Sequence, residues 1–242
     1  MGRIMTNPND MSLVEHLVEL RSRLIRYFIF AGIVLIACLP FADQIYAYVA
    51  SPLTNLLPAT SSMIATEVTT PFVAPLKLTI YTALIFSMPY FLVELWGFLS
   101  PGLYKNEKSF VVPLLVSSSV LFYLGIAFAY FIVSPIILNF FILSAPDSIQ
   151  VMTDISKYLD FMLKLFFAFG LAFEIPVATI LVVNTGLADK QSIKKIRPYI
   201  VIGFFVLAML LTPPDIFSQL FLALPMWLLF ELGLLLARDK KI

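Results

Sequence analysis

The chain has 242 residues, 60% of them hydrophobic and only 13% charged, with a mean hydropathy of +0.95. Soluble domains run roughly 45–50% apolar and about 25% charged, so this composition excludes a single soluble core and a disordered tail. Sixteen basic against fifteen acidic residues leave +1, a balance that offers no field for a polyanion such as nucleic acid. One cysteine, Cys38, and one histidine, His16, leave no material for a disulfide framework, a thiolate metal site or a histidine-dependent catalytic dyad. The composition is that of an integral membrane protein.

Crossing a bilayer takes about 20 apolar residues per helix. Six runs meet or approach that length: 24–42, 79–99, 111–143, 159–184, 199–211 and 219–237. None alternates with period 2, so a barrel is excluded and an all-α, single-domain bundle of six helices over 1–242 is expected. The first 23 residues are polar and no small-residue cleavage site follows the first run, so the first helix is expected to stay.

Between the first two runs lies the long loop 43–71, whose Ile45, Tyr48, Val49, Leu53 and Leu56 fit a short interfacial helix. The run 111–143 would measure about 50 Å if straight, so it must tilt, kink near Pro135 or project. The run 199–211 would reach only about 20 Å and joins the last helix through Thr212-Pro213-Pro214-Asp215. A hairpin this short thins the bilayer locally or recruits other helices. Prolines 89, 113, 135, 176 and 225 can each bend a helix, and together they suggest a curved wall.

Orientation follows from the basic residues. With both termini in the cytoplasm, the inner stretches hold thirteen of the sixteen lysines and arginines, as the positive-inside rule requires. The other three, Lys77, Lys157 and Lys164, fall near the outer ends of the second and fourth runs.

Among the polar residues, Ser12 and Glu15 form a capping box that starts an amphipathic helix leading into the first run. Glu15, Glu19 and Arg23 recur at i, i+4 and i+8, which by itself describes a solvated stripe with a Glu19–Arg23 pair. Glu107, between Lys105 and Lys108, reads as part of a charge-balanced loop, and Phe98 and Tyr104 read as interfacial aromatics. Glu94 and Glu231 lie toward the inner helix ends, where they can reach water, and Asp215 is placed to cap the last helix. Thr212, Ser218 and Gln219 add polarity to the outer turn.

Glu174 stands apart, in the middle of 159–184. An ionised carboxylate there costs at least ~2.5–3.5 kcal/mol, so it is expected to be protonated, hydrated or bonded to a polar group on another helix. Lys164, ten residues away, is poorly placed to pair with it along one helix and is expected to pair with Asp160 instead.

Three strings carry a family resemblance: Phe98…Pro101-Gly-Leu-Tyr104-Lys-Asn-Glu107, Ala168-Phe-Gly-Leu-Ala-Phe-Glu174-Ile-Pro176, and Leu211-Thr-Pro-Pro-Asp215…Ser218-Gln219. With His16-Leu-Val-Glu19-Leu-Arg21 they cover almost the whole chain. In this order and spacing the sequence resembles the TatC family, the multispanning receptors of the twin-arginine protein translocase.

The resemblance implies a glove-like curved bundle in the bacterial inner membrane, with N-in and C-in termini. It would bind the Arg-Arg signal peptides of folded cargo through Glu19 and Glu107, with Arg21, Phe98, Leu99 and Tyr104 nearby. It further implies that Glu174, with Thr212, Asp215 and Gln219, offers polar contacts to single-span partners. TatA and TatB would dock along the last two helices, further copies of the receptor would assemble, and the proton-motive force would drive export. No cofactor, metal or catalytic residue is implied. Lys164 departs from the family pattern.

Two other classes compete. A proton-coupled small-solute carrier could use Glu174, but no internal repeat or substrate cluster accompanies it. An intramembrane protease needs a nucleophile with a nearby histidine or two close aspartates inside the spans, and the runs hold neither.

Overall fold

The structure is a computed structural model that describes residues 13–58, 61–99, 108–144, 146, 152–184, 186, 188–211 and 216–237. Among these residues every regular element is helical: α1 (Leu13–Cys38), α2 (Ala42–Thr54), α3 (Thr70–Phe86), α4 (Met88–Leu99), α5 (Lys108–Phe128), α6 (Ser134–Leu143), α7 (Ile155–Ala172), α8 (Ile175–Asn184), α9 (Lys190–Leu211) and α10 (Ile216–Leu236). Apolar side chains cover much of the outside, Ile36, Phe72, Phe131 and Leu235 among them, as a lipid-facing surface requires.

Four continuous stretches are long and apolar enough to cross a membrane: His16–Thr54, Pro113–Leu143, Ile155–Asn184 and Ile216–Leu236. A fifth is the pair α3–α4, bent by 46°. The sixth run, 199–211, is the apolar end of α9, whose first two turns carry Lys190, Lys194, Lys195 and Arg197. The short helix expected in 43–71 is α2, joined to α1 by the 3-10 turn Leu39–Phe41 around Pro40.

Besides the turn at Pro40 near the end of the first, three predicted runs are interrupted, each at a proline that removes an N–H and crowds the carbonyl four residues back. Before Pro89 the chain breaks at Ser87, and the freed Ile85 and Phe86 carbonyls accept from the Tyr123 hydroxyl on α5, both at 3.3 Å. Before Pro135 the helix takes a π-helical segment, Ala129–Val133, which absorbs the misfit at the expected place. Before Pro176 it breaks at Phe173-Glu174. Glu174 therefore sits at a two-residue turn between α7 and α8, within the continuous stretch Ile155–Asn184.

The helices form a chain of neighbours. α1 packs on α3 and α4, α4 on α5, α5 on α7, and α8 on α10, which pairs with α9. Glycines let two of these crossings close. A Cβ at Gly125 of α5 would collide with the Phe169 carbonyl of α7, and one at Gly233 of α10 would stand 2.7 Å from the Pro176 Cα. At the end carrying α2, loop residue Ile64 pairs with Thr153 and Ile155 through two 3.0 Å backbone bonds. Asp154, the cap of α7, binds Thr66 there.

Candidate functional site

Two regions hold polar groups where an apolar fold makes them costly. The first is the seam between α1 and α4. On α1, His16, Glu19, Arg23 and Arg26 recur at i, i+3, i+7 and i+10, one helical stripe. On α4, Tyr90, Glu94, Gly97 and Phe98 recur at i, i+4, i+7 and i+8. The stripes face each other. His16 stacks on Phe98 with ring centroids 4.1 Å apart. Gly97 leaves the space that the Arg23 guanidinium occupies, since a Cβ there would overlap it.

Glu94 is the centre of this seam. Its Oε1 accepts from Arg26 Nε at 2.9 Å and from the Tyr90 hydroxyl at 3.0 Å. Its Oε2 accepts from Arg26 Nη2 at 2.9 Å and from Arg23 Nη1 at 3.1 Å. The fork to Arg26 is the bidentate geometry that guanidinium favours. With 9% of its surface exposed, Glu94 does not reach water as the sequence suggested; α1 closes over it and supplies the cations that make burial tolerable. A polar residue four before and a glycine three after an acid inside an apolar run was the signal available for it.

Glu19 forms the expected pair. Arg23 donates to its Oε1 through Nη2 at 2.6 Å and Nε at 2.9 Å. Its Oε2 accepts nothing from a described residue. Arg21 is exposed and lies two residues on, about 200° around the helix, so it points away from Glu19. Leu99 closes α4. Glu107 and Tyr104 lie outside the described residues, as does Ser12 of the capping box. The two acids and two arginines of the seam cancel.

The second region is the break at Glu174. Ser118 of α5 donates to Glu174 Oε2, while Oε1 is buried with no hydrogen-bond partner. The carboxyl is thus bonded to a polar group on another helix, but on one side only. Gln219 is half-buried at the start of α10. Thr212 and Asp215 lie outside the described residues.

One pairing differs from expectation. Asp160 pairs with Lys77 of α3, not with Lys164, because α3 packs against α7 and brings a cation to the carboxylate from across the interface. Glu231 is tied to Arg197 and, at 3.0 Å, to the Trp227 indole. Among the described residues no group of three or more His, Cys, Asp or Glu could hold a metal ion.

Helices of membrane-crossing length and a largely apolar exterior define a multispanning helical membrane protein. The family model for the Sec-independent protein translocase protein (TatC) matches residues 15–225. The Azotobacter chroococcum TatC is 53% identical over 224 residues, 93% of this chain and 88% of its own. The Escherichia coli K12 TatC is 48% identical over 234 residues, 97% of this chain and 91% of its own. A crystal structure of a twin-arginine translocase receptor TatC superposes with a TM-score of 0.81 at 32% identity, covering 91% of this chain and 97% of that one. This chain belongs to the TatC family, and it is a subunit of the Sec-independent protein translocase.

Proposed function

We propose that the chain is the receptor of its translocase and binds Arg-Arg signal peptides of folded cargo at the cytoplasmic face through Glu19 and Glu107. Phe98, Leu99 and Tyr104 flank the site, and Arg21 stands on the adjoining surface. The observation that carries this reading is the half-engaged Glu19 carboxylate: Arg23 holds Oε1 and leaves Oε2 for an incoming guanidinium. The described seam is neutral overall, so recognition rests on direct bonds from the two guanidiniums to the open Glu19 oxygen and to Glu107 as a second carboxylate. Guanidinium forms two parallel bonds to a carboxylate and ammonium cannot, so the pair selects Arg-Arg over Lys-Lys.

In this reading the chain crosses the bacterial inner membrane six times as a curved, single-domain bundle with both termini in the cytoplasm. The skew of basic residues supports that orientation. The short α9–α10 hairpin, with Thr212, Asp215 and Gln219 at its outer end, receives the single-span partners TatA and TatB. Glu174 contributes its unpartnered oxygen to a polar group on a partner helix. Copies of the receptor assemble with these partners, and the proton-motive force drives export; the chain is not an enzyme and needs no cofactor.

A photo-cross-linker at the exposed Val18 should capture an Arg-Arg peptide, and one at Val68, in the loop before α3, should not. Capture at Val68 or none at Val18 would sink the assignment. No observation favours the small-solute carrier.

A further inference from the structure

Two open cavities meet along α7 beside the end of α9: one of about 760 Å³ between α3, α7, α9 and α10, and one of about 580 Å³ between α2, α6, α7 and α9. The larger is walled by apolar side chains, among them Tyr81, Phe167, Leu171, Phe204 and Leu207. Both are bordered by Asp160, Lys164 and Leu211. Leu211 is the last residue of α9, whereas α7 continues from Lys164 back to Ile155, nine residues or roughly 13 Å further. The last described residue of α9 thus borders the same cavities as Lys164.

The apolar part of α9, residues 199–211, is too short to cross the hydrocarbon unaided, and a leaflet thins beside such a segment. Charge points the same way. Lys157, Asp160 and Lys164 share one face of α7 at i, i+3 and i+7, and all three border the smaller cavity. Asp160 is neutralised by Lys77. Asp154 is held by Thr66 and by the backbone of Lys157. No described residue forms an ion pair with Lys157 or Lys164, which leaves two cations above an apolar slot.

We infer that this slot binds an anionic phospholipid of the outer leaflet, its phosphate on Lys164 and Lys157 and an acyl chain in the larger cavity. Bilayer thinning at the hairpin, expected from its length alone, thereby becomes a specific lipid site. The outer-leaflet assignment rests on the orientation proposed above.

Native mass spectrometry of the purified protein with phosphatidylglycerol or phosphatidylcholine tests it. Wild type should retain phosphatidylglycerol preferentially, Lys164→Gln should lose about fivefold, and Lys164→Arg should keep it. Lys164 is exposed and outside the ion pairs, so both variants should melt with wild type. Equal retention of the two lipids, or undiminished phosphatidylglycerol on Lys164→Gln, overturns the site. So does a photo-cross-linker at Leu207 of the purified protein in phosphatidylglycerol vesicles that captures no lipid. In cells, Val68→Cys in a Cys38→Ala background should react with an impermeant maleimide from outside. Reaction only after permeabilisation would overturn the orientation, and with it the outer-leaflet assignment, whatever the lipid retention.

Discussion

Glu94 and Glu174 are both carboxylates inside apolar helix runs, and the fold treats them in opposite ways. Glu94 receives four hydrogen bonds from Arg26, Arg23 and Tyr90. Glu174 receives one, from Ser118, and keeps a buried oxygen with no partner. A buried charge with its full complement of donors is a structural clamp; a buried carboxyl left half-satisfied holds back a bonding position. Glu19 resembles Glu174 in this respect, with one oxygen engaged and one open. Saturated acids thus fasten helices, while the proposed function gives the half-engaged acids to partners.

The largest expected effect breaks the clamp. Glu94→Ala leaves Arg26 without its partner and Arg23 with Glu19 alone, and should destabilise the protein by roughly 1–3 kcal/mol, read as a lower thermal midpoint in lipid nanodiscs. An unchanged midpoint would show that Glu94 and Glu174 do not differ in kind. Next comes Glu174→Ala, which should leave signal-peptide affinity within about twofold while partner docking weakens by about 1–2 kcal/mol. Loss of the folded protein would make Glu174 a clamp after all.

Ser118→Ala removes the single hydrogen bond at Glu174 and should cost about 0.5–1.5 kcal/mol of stability. Its effect should vanish in a Glu174→Ala background, a coupling that a double-mutant cycle measures. The smallest effect concerns Asp154, outside the spans. The Thr66 hydroxyl bonded to it, aided by the Lys157 backbone N–H, holds its carboxyl below the usual aspartate range. A lowered folded-state value means that its stabilisation is complete above the ordinary range and lost as the pH falls through the lowered value. Thr66→Val should therefore shift stability slightly at neutral pH and not in acid. A shift of equal size at both would detach it from titration.

How much of this was legible in the sequence follows from what fixes each feature. Apolar runs and basic residues are local, so five of the six runs reappear as helices or helix pairs of crossing length, and the sixth as the end of α9. The helix breaks were partly legible, because proline acts on its own chain: the π-helical segment falls at Pro135, and the breaks precede Pro89 and Pro176. Side-chain partners were not legible. Lys77 is 83 residues from Asp160, Arg26 is 68 from Glu94, and Ser118 is 56 from Glu174. Only packing of α3 on α7, α1 on α4 and α5 beside the α7–α8 break could bring them together. Within one helix the i,i+4 rule succeeded for Glu19–Arg23 and failed for Asp160–Lys164, where a cation from another helix prevailed.

The central claim is that the half-engaged Glu19, together with Glu107, reads the paired arginines of a signal. Equilibrium binding of labelled Arg-Arg and Lys-Lys peptides to the reconstituted wild type, Glu19→Gln and Glu107→Gln tests it most directly. Wild type should prefer Arg-Arg by about tenfold or more, equivalent to about 1.4 kcal/mol, and each variant should lose most of that preference. Equal binding of the two peptides by wild type, or an undiminished preference in both variants, would contradict the account.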